Sequence, residues 1–400
     1  MSSLETSNTG STRDIAALVN AIRDELPAVA ALRADLHQWP ELSGAEHGTR
    51  DRIRASLPDL EFRGTAQTGG VLVGVGTKPR IGLRIELDGL PITEDSGVPW
   101  QSKQPGVMHA CGHDVHAAAA VAVVRALQAG TNAADRPAVA LILQPREEKP
   151  PSGARDVIDS GVLRAVELEA VIAAHLQPAL PAGVISCTPG AVNASADEFT
   201  ITIQGRPGHG AYPHRCDDVV LALAATVTAL QQVVARNVDP MQSAAVTIGS
   251  VQAGSAANVL PDHAEAKGTL RALDANVRAL LISRVEQVAV STAAAYGCQA
   301  TFSLHLGEPA LVNDAELTAL TTSVIGASSY RLDEDFRSMG ADDFSYYAEV
   351  MPSLMMFVGV DSSHGGLHHP GFAPDHAVIA DVAYALLAGY LGAELLLHRR

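Results

Sequence analysis

The sequence predicts an α/β protein: a mostly parallel sheet covered by helices forms one domain, and a ferredoxin-like α+β unit is inserted into it. Three observations favour this fold class. The chain has 400 residues, which is longer than a single core usually grows. Short apolar runs alternate with helical patterns, as in parallel sheets that are buried on both faces. The middle of the chain reads β-α-β-β-α-β, the order of a split βαβ sandwich.

The first part of the chain opens with two helical patterns. Apolar residues recur at helical spacing over residues 13–36 and again over 46–57, after a break at Trp39 and Pro40. An Ala-rich helix is predicted over about 115–128. The Gly-rich stretch 69–76 is interpreted as a hairpin. Short apolar runs predict four buried strands, at 71–75, 81–87, 139–143 and 171–174.

The inserted unit is expected over residues 192–303, which divides the larger domain into 13–191 and 304–400. Residues 1–12 are polar and are predicted to be a disordered tail. The predicted elements of the insertion are strand 198–204, helix 217–236, strands 244–251 and 263–270, helix 276–296 and strand 298–304. The elements predicted after it are helix 315–328, strand 354–360 and helix 376–397.

Composition narrows the class of function. The hydrophobic fraction of 47% with 18% charged residues is ordinary for a globular protein and argues against a largely disordered chain. A net charge of -16 without basic runs argues against nucleic acid as a partner, so a small-molecule substrate is expected. No signal peptide and no run of about 18 apolar residues is found, so no membrane association is expected. Four widely spaced cysteines without a CxxC pair indicate reduced thiols and a cytoplasmic location: Cys111, Cys187, Cys216 and Cys298.

Polar residues follow three of the predicted strands. Asp88 follows the second strand, Glu147 and Glu148 follow the third, and His175 follows the fourth. In open α/β sheets, sites form beyond the carboxyl ends of strands. We therefore expect these side chains to meet at one edge of the sheet, where Asp88 would support the ligands rather than bind a metal ion itself.

A thiol and imidazoles precede the Ala-rich helix. Cys111 and His113 lie two residues apart, a spacing that places both side chains on one side of a loop, and both are ligands of Zn²⁺-like ions. The alternative is a buried cysteine beside a helix-capping residue. Asp114 would be the N-cap of that helix or an acceptor that orients a ligating imidazole from behind. His116 is interpreted as a residue that supports the ligands or packs in the core, rather than as a ligand.

Glu147 and Glu148 are adjacent, so their side chains point to different sides of an extended backbone. We therefore expect them to have different roles. One would bind a metal ion, and the other would serve as the base for water. The alternative is a pair of solvated surface acids. His368 and His369 stand in a Gly- and Pro-rich loop, and only one of them can bind the same ion.

Together these motifs resemble the amidohydrolase branch of the zinc aminoacylase and carboxypeptidase-like metallopeptidase family, which includes hippurate hydrolases, indole-acetyl-amino-acid hydrolases and N-acyl-amino-acid amidohydrolases. The resemblance covers about residues 30–375. The segments that carry it are Glu86-Leu-Asp-Gly-Leu-Pro91, His109-Ala-Cys-Gly-His-Asp114, Gln144-Pro-Arg-Glu-Glu148, His175-Leu176, Gly208-His-Gly-Ala-Tyr-Pro-His214, Asn258-Val-Leu-Pro-Asp262, Gly268-Thr-Leu-Arg271, Met339-Gly-Ala-Asp-Asp-Phe344 and Leu367-His-His-Pro370.

The resemblance implies a complete site. Glu147 would be the general base, and His209 would polarise the scissile carbonyl from the inserted lid domain. Asn258, Arg271 and His214 would contact the substrate, the first two through its carboxylate. The lid would also carry a homodimer interface, across which many relatives supply the histidine at position 209. The ligands of two divalent ions, Zn²⁺ or Mn²⁺ with Co²⁺ or Ni²⁺ also tolerated, would be Cys111, His113, Glu148, His175 and His368.

Some positions depart from the family pattern. Arg146 stands where relatives mostly carry a small residue, Lys149-Pro-Pro-Ser follows the two acids, and Ala174 replaces a common glycine. Arg146 would lower the pKa of the catalytic acid, accept a substrate carboxylate or point to solvent.

The expected activity is metal-dependent hydrolysis of the amide bond of N-acyl amino acids, which releases a carboxylic acid and an amino acid. Two alternatives use the same dinuclear site: a dipeptidase or carboxypeptidase, and a hydrolytic aryl-amine deaminase. A different class of alternative is a catalytically silent metal-binding scaffold. It predicts loss of Glu147 or of ligands, and the sequence retains both.

Overall fold

The computed structural model describes residues 15–74, 78–129, 138–361, 363 and 365–400. The tail predicted over 1–12, and Val75 and Gly76 of the Gly-rich stretch, lie outside the described residues. The elements of the first part are α1 Ile15–Gln38, α2 His47–Ser56, β1 Leu60–Thr65, β2 Gly69–Gly74, β3 Ile81–Glu86, α3 His113–Gln128, β4 Val139–Gln144, α4 Gly153–Asp159, α5 Val162–Ala165, β5 Ala170–Gln177, β6 Val184–Ser186 and β7 Gly190–Asn193.

The inserted unit follows β7. Its elements are β8 Ser195–Gln204, β9 Gly208–His209, a 3-10 helix Pro213–Arg215, α6 Val219–Leu230, α7 Gln232–Asn237, β10 Ala244–Ala253, β11 Val259–Leu260, β12 His263–Ala272, α8 Ala275–Ala295 and β13 Gln299–His305. The chain then returns through β14 Leu311–Asn313, α9 Ala315–Gly326, β15 Arg331–Asp333, α10 Ser345–Ala348, β16 Ser353–Gly359 and α11 Val378–Arg399.

An eight-stranded sheet forms the centre of the larger domain, in the order β1-β2-β4-β3-β5-β16-β6-β15. Its four middle strands, β4, β3, β5 and β16, are parallel, whereas β2 and β6 join them antiparallel. Successive residues of β4 pack into different apolar clusters: Leu141 and Leu143 into one, Ala140 and Ile142 into the other. The sheet is therefore buried on both faces, as the short apolar runs predict.

Two predictions for this domain need correction, and one strand was missed. The Gly-rich stretch is one strand, β2, and its hairpin partner is β1, which was not predicted. The turn between them has Ala66 and Gln67 at φ 49° and 69°. A glycine at these positions would have indicated a turn in the sequence, but neither residue is one. Gly69 instead permits close packing, since a Cβ there would lie 2.6 Å from the carbonyl oxygen of Leu143. His175 lies inside β5 near its carboxyl end rather than after the strand.

The inserted unit has the predicted β-α-β-β-α-β order. Its antiparallel sheet runs β10-β12-β8-β13, with β10 and β13 at the edges. One predicted helix, 217–236, is two helices that meet at Gln231. The chain leaves the larger domain through β7 and returns through β14, and these two short strands pair with each other. The domain bounds 13–191, 192–303 and 304–400 stay a prediction.

The sequence has no uninterrupted run of about 18 apolar residues, but among the described residues the closing helix α11 is a candidate to span a bilayer. By length and composition it could do so, but 72% of its most apolar window is buried inside the protein. It packs against α3, α9 and β5, and Gly389 allows close approach to the side chains of Ile172 and Met356. These contacts are those of a core helix.

Candidate metal centre

Cys111 and His113 flank a left-handed glycine at the start of α3. Gly112 has φ 86°, and a Cβ there would lie 2.7 Å from the Leu176 side chain, so only glycine fits the turn. The turn directs both side chains into one buried space, together with His175 from β5. The Sγ of Cys111 lies 3.5 Å from the Nε2 of His175.

Backbone carbonyls orient both imidazoles. The Nδ1 of His113 lies 2.8 Å from the carbonyl oxygen of Asp88, and the Nδ1 of His175 lies 2.7 Å from that of Leu176. Because a carbonyl can only accept, each Nδ1 carries a proton, and Nε2 is the nitrogen of each ring that is left to bind a metal ion. Burial, followed by the charge of His116, lowers the pKa of His175 to about 3, which keeps this imidazole neutral.

Glu148 and His368 approach the same space from two loops. The Nε2 of His368 lies 3.3 Å from the Oε1 of Glu148, and the Nε2 of His113 lies 3.9 Å from it. His368 has φ 62°, and its N–H donates to the carbonyl oxygen of Ala110, which ties this loop to the Cys111 turn. His369 is turned to its own loop, where its Nδ1 accepts from the N–H of Gly371.

The five side chains predicted as ligands form overlapping groups. Cys111, His113 and His175 have ligand atoms within 4.8 Å of one another, and so do Cys111, Glu148 and His368. The two groups share the thiol of Cys111. A third such group contains His113, Glu147 and Glu148, so the predicted base lies beside the predicted ligands.

The chemistry of this donor set fits divalent cations. The Nε2 of His113 and the Oε1 of Glu148 are buried and, among the described residues, have no partner with hydrogen-bond geometry, although the Oε1 lies 3.3 Å from the Nε2 of His368. Buried polar atoms are rarely left in this state without a reason. Burial and then the charges of Glu148 and Asp342 hold the pKa of Glu147 well above its usual range, so the protein groups alone leave an excess of negative charge that cations would offset. Thiol, imidazole and carboxylate together are ligands typical of Zn²⁺ and related ions.

Asp88 lies behind the ligands, where the sequence predicts a supporting residue. Its Oδ2 accepts from the Ser43 hydroxyl at 2.7 Å and from the N–H of Glu148 at 3.0 Å, and its Oδ1 lies 3.6 Å from the Nδ1 of His113. Asp88 therefore connects two of the predicted ligands.

Asp114 and His116 make other contacts. The Oδ2 of Asp114 accepts from Arg33 and pairs with His37, both at 2.9 Å, rather than with a predicted ligand, and the N-cap position belongs to Gly112. The Nε2 of His116 accepts from the N–H of Leu176 at 3.0 Å, and its Nδ1 bonds Glu86 at 3.1 Å. Both nitrogens of His116 are thus occupied, which fits the interpretation of this residue as a support rather than a ligand.

A buried polar network beside Glu147 was not predicted from the sequence. Arg84 is fully buried on β3, and its guanidinium contacts Glu86, Asp342 and Asp343, the last at 2.9 Å. The carboxylates of Glu147, Asp342 and Asp343 lie within 4.8 Å of one another. Charged residues inside an otherwise apolar strand were the available signal, because such residues are buried only when paired.

The residues predicted as substrate contacts lie in the inserted unit. His209 on β9 pairs with Val259 on β11, which brings it next to Asn258. His214 is exposed in the 3-10 helix, and Arg271 lies on β12 between Ala196 and Ala245. Among the described residues, no hydrogen bond or ion pair joins His209, His214, Asn258 or Arg271 to the five predicted ligands.

Comparisons with known proteins agree with this site. The chain is 37% identical over 373 residues to the N-acetyldiaminopimelate deacetylase of Geobacillus thermodenitrificans, covering 90% of this chain and 96% of that protein. It is 36% identical over 360 residues to the N-acetyl-L-cysteine deacetylase of Bacillus subtilis, covering 89% and 85%. The structure of the B. subtilis protein YXEP, described as a dinuclear metal-binding peptidase of the M20 family, matches with a TM-score of 0.79 at 30% identity, covering 93% and 99%.

The family model described as peptidase family M20/M25/M40 matches residues 82–389. The matched segment contains every predicted ligand, the predicted base and the inserted unit. The resemblance inferred from the sequence motifs is confirmed, and the chain belongs to peptidase family M20/M25/M40.

Proposed function

We propose that this protein hydrolyses the amide bond of N-acyl amino acids and releases a carboxylic acid and a free amino acid. The observation that carries the proposal is the grouping of Cys111, His113, Glu148, His175 and His368 around one space, with Glu147 beside them. The names of the relatives add support, because two of them are deacetylases of N-acetylated amino acids.

The five grouped side chains would hold two divalent cations, Zn²⁺ or Mn²⁺, with Co²⁺ or Ni²⁺ as substitutes. When bound, such ions supply Lewis acidity towards water and towards the carbonyl oxygen. Glu147 would take the proton of the attacking water and return it to the leaving amine. Its position beside His113 and Glu148 supports this role, because it places a carboxylate next to the grouped ligands.

The inserted unit would complete the site as a lid. His209 would donate to the carbonyl oxygen as charge develops there, and Asn258 and Arg271 would hold the substrate carboxylate, with His214 nearby. The β9–β11 pairing supports a joint role for His209 and Asn258. Closure of a mobile lid would also exclude bulk water from the reaction.

We further propose a homodimer formed through the lid. Helix α6 is apolar on nearly every side, and Val220 and Leu221 are 41% and 52% exposed on its outer face. Among the described residues, β10 pairs only with β12, so its other edge is free for a partner strand. A cytoplasmic location is proposed because all four cysteines are free thiols.

Substrate assays separate this proposal from the alternatives. Metal-loaded enzyme would be offered N-acetyl and N-benzoyl amino acids, unblocked dipeptides and an aryl amine. We expect turnover of the N-acyl amino acids. A preference for substrates with a free α-amine would instead identify a dipeptidase or carboxypeptidase, and release of ammonia from the aryl amine would identify a deaminase.

Replacement of the base tests the mechanism. We expect Glu147→Gln to keep its metal content and to lose roughly three orders of magnitude in kcat, because the proton acceptor is removed while the grouped ligands remain. Metal analysis and steady-state kinetics on the best N-acyl substrate measure both quantities. Glu61→Gln, a change to an exposed acid on β1, is the control and should leave both unchanged. Retained turnover in Glu147→Gln would remove this residue from the mechanism.

A further inference from the structure

The two acids of the site follow a turn with an unusual backbone conformation. Arg146 comes after Pro145, at the end of β4, and directly precedes Glu147 and Glu148. Its φ is 49°, in the left-handed region that non-glycine residues rarely adopt. Such conformations persist only where the surrounding structure holds them. The contacts of Arg146 therefore identify the parts of the protein that hold this turn and orient the two acids that follow it.

The guanidinium of Arg146 is buried and engaged on all three nitrogens. Its Nη1 donates to the carbonyl oxygen of Ala66 at 3.1 Å, its Nε donates to that of Pro151 at 3.2 Å, and its Nη2 contacts Asp156. The Arg146 side chain is 8% exposed. These partners lie in the β1–β2 turn, in the loop after the two acids and on α4, so one side chain joins three segments.

The backbone of Arg146 is fixed as well. Its N–H donates to the Oε1 of Glu46 at 2.9 Å, and its carbonyl oxygen accepts from the N–H of Gly153 at 3.2 Å. Glu46 is itself fully buried and accepts from the hydroxyl of Thr68 at 2.6 Å. The bond to Gly153 closes the loop that contains both acids.

These contacts argue against two roles predicted for Arg146 from the sequence, contact with a substrate carboxylate and exposure to solvent. The guanidinium is buried, and three of its five N–H donors are bound to Ala66, Pro151 and Asp156, so it is committed to contacts within the protein rather than to a substrate carboxylate. Because it is buried, it also does not point to solvent. The contacts instead support a mechanical role for Arg146 in the loop that holds Glu147 and Glu148.

We propose that Arg146 is a positioning residue whose guanidinium clamps the left-handed turn and thereby directs Glu148 towards the grouped ligands and Glu147 towards the reacting water. The proposal rests on the function proposed above for these two acids.

Two substitutions at position 146 separate the effect of the guanidinium contacts from the effect of the positive φ. Arg146→Gly removes the side chain but suits a positive φ, whereas Arg146→Ala removes the side chain and leaves the φ unfavourable. If the side chain holds the turn, both variants lose function. We expect the affinity of apoenzyme for Zn²⁺, measured by calorimetric titration, to fall about 10- to 100-fold. We expect kcat to fall about 100-fold with little change in KM, because the substrate contacts lie elsewhere.

Controls separate this role from general stability. Arg155→Ala removes an exposed arginine from the same helix that carries Asp156, and it should change neither Zn²⁺ affinity nor kcat. Asp156→Ala leaves Arg146 in place without its carboxylate partner and should reduce Zn²⁺ affinity and kcat in the same direction. If the Arg146 variants do not fold, Asp156→Ala is the variant that tests the clamp.

The proposal would be overturned if Arg146→Gly kept the wild-type Zn²⁺ affinity and kcat. If only Asp156→Ala folds, the same result in that variant would overturn it. The Zn²⁺ titration needs no substrate, so it tests the clamp even if N-acyl amino acids are not the substrates. Conversely, turnover retained in Glu147→Gln would defeat the proposed mechanism without bearing on the clamp.

Discussion

At the scale of single residues, a buried ionic network connects α1 to the start of α3, next to the candidate metal centre. His37 is held between two carboxylates: its Nδ1 lies 2.9 Å from Asp114, and its Nε2 lies 3.1 Å from Glu94. Burial lowers the pKa of His37, but the charges of and hydrogen bonds to Asp114 and Glu94 outweigh burial and raise it to about 9. His37 is therefore charged at neutral pH and balances part of the acidic surroundings.

This network predicts a pH-dependent stability. The folded pKa of His37 lies above the unfolded value of ~6.5, so its contribution is complete below that pH and is lost as the pH rises through 9. The contribution is on the order of 3 kcal/mol. We expect His37→Gln to be less stable than the wild type at pH 6 and to lose less stability between pH 6 and 9.5. Urea unfolding at both pH values measures this.

The exposed His398 provides the control, because His398→Gln should follow the wild-type pH profile. Equal losses of stability with pH in the wild type and in His37→Gln would show that this imidazole does not carry the effect.

At the scale of elements, two helices of the larger domain depend on a glycine contact. Gly392 of α11 faces α9, and a Cβ at this position would lie 2.2 Å from the hydroxyl and 3.0 Å from the backbone nitrogen of Thr321. Backbone cannot yield as a flexible side chain can, so the helices must separate to admit a larger residue. The spacing of α9 and α11 is thus set by the absence of a side chain.

We expect Gly392→Val to reduce the free energy of unfolding by about 1–3 kcal/mol, the usual cost of overpacking a core. Denaturant unfolding monitored by circular dichroism measures the change. The matched control is Gly326→Ala at the end of α9, where an added methyl group would meet no described atom within 4 Å beyond its own helix. This variant should be neutral or slightly stabilising. A destabilisation in Gly326→Ala as large as that in Gly392→Val would contradict the role given to the contact.

The elements also show how much of the fold could be predicted from the sequence. The four middle strands were predictable because buried strands are continuous apolar runs. The inserted unit differs, because its central strands β8 and β12 alternate between buried and more exposed residues. Strand β1 was missed because Leu60–Thr65 mixes polar and apolar residues at the sheet edge, and its turn at Ala66 and Gln67 lacks glycine. Ligand chemistry indicated Cys111, His113 and His175 in the sequence, whereas the choice of Glu148 and His368 came from the resemblance to the family. The partners of Arg84 and Arg146 could not be predicted from the sequence, because both side chains contact segments that are distant in sequence.

At the scale of the whole molecule, the lid predicts how assembly and activity are linked. If α6 forms the dimer interface, a charge at its exposed apolar face should prevent association. We expect Leu221→Glu to be monomeric in sedimentation velocity experiments. If His209 also acts across that interface, kcat should fall about 100-fold in the same variant, as expected when an oxyanion donor is lost.

Leu395→Glu is the matched control, because Leu395 is 45% exposed on α11 and lies outside the lid. This variant should keep the wild-type assembly and kcat. An unchanged dimer in Leu221→Glu would exclude α6 as the interface, and an active monomer would exclude a contribution of His209 from the partner subunit.

The proposed chemistry requires that distant parts of the chain converge to bind a pair of divalent ions. A crystal structure of the Zn²⁺-loaded enzyme, with anomalous diffraction data collected at the zinc edge, would locate these ions. We expect two anomalous peaks, both among the side chains of Cys111, His113, Glu148, His175 and His368, with Glu147 beside them and not bound to either. A single peak, or peaks away from these side chains, would refute the dinuclear centre.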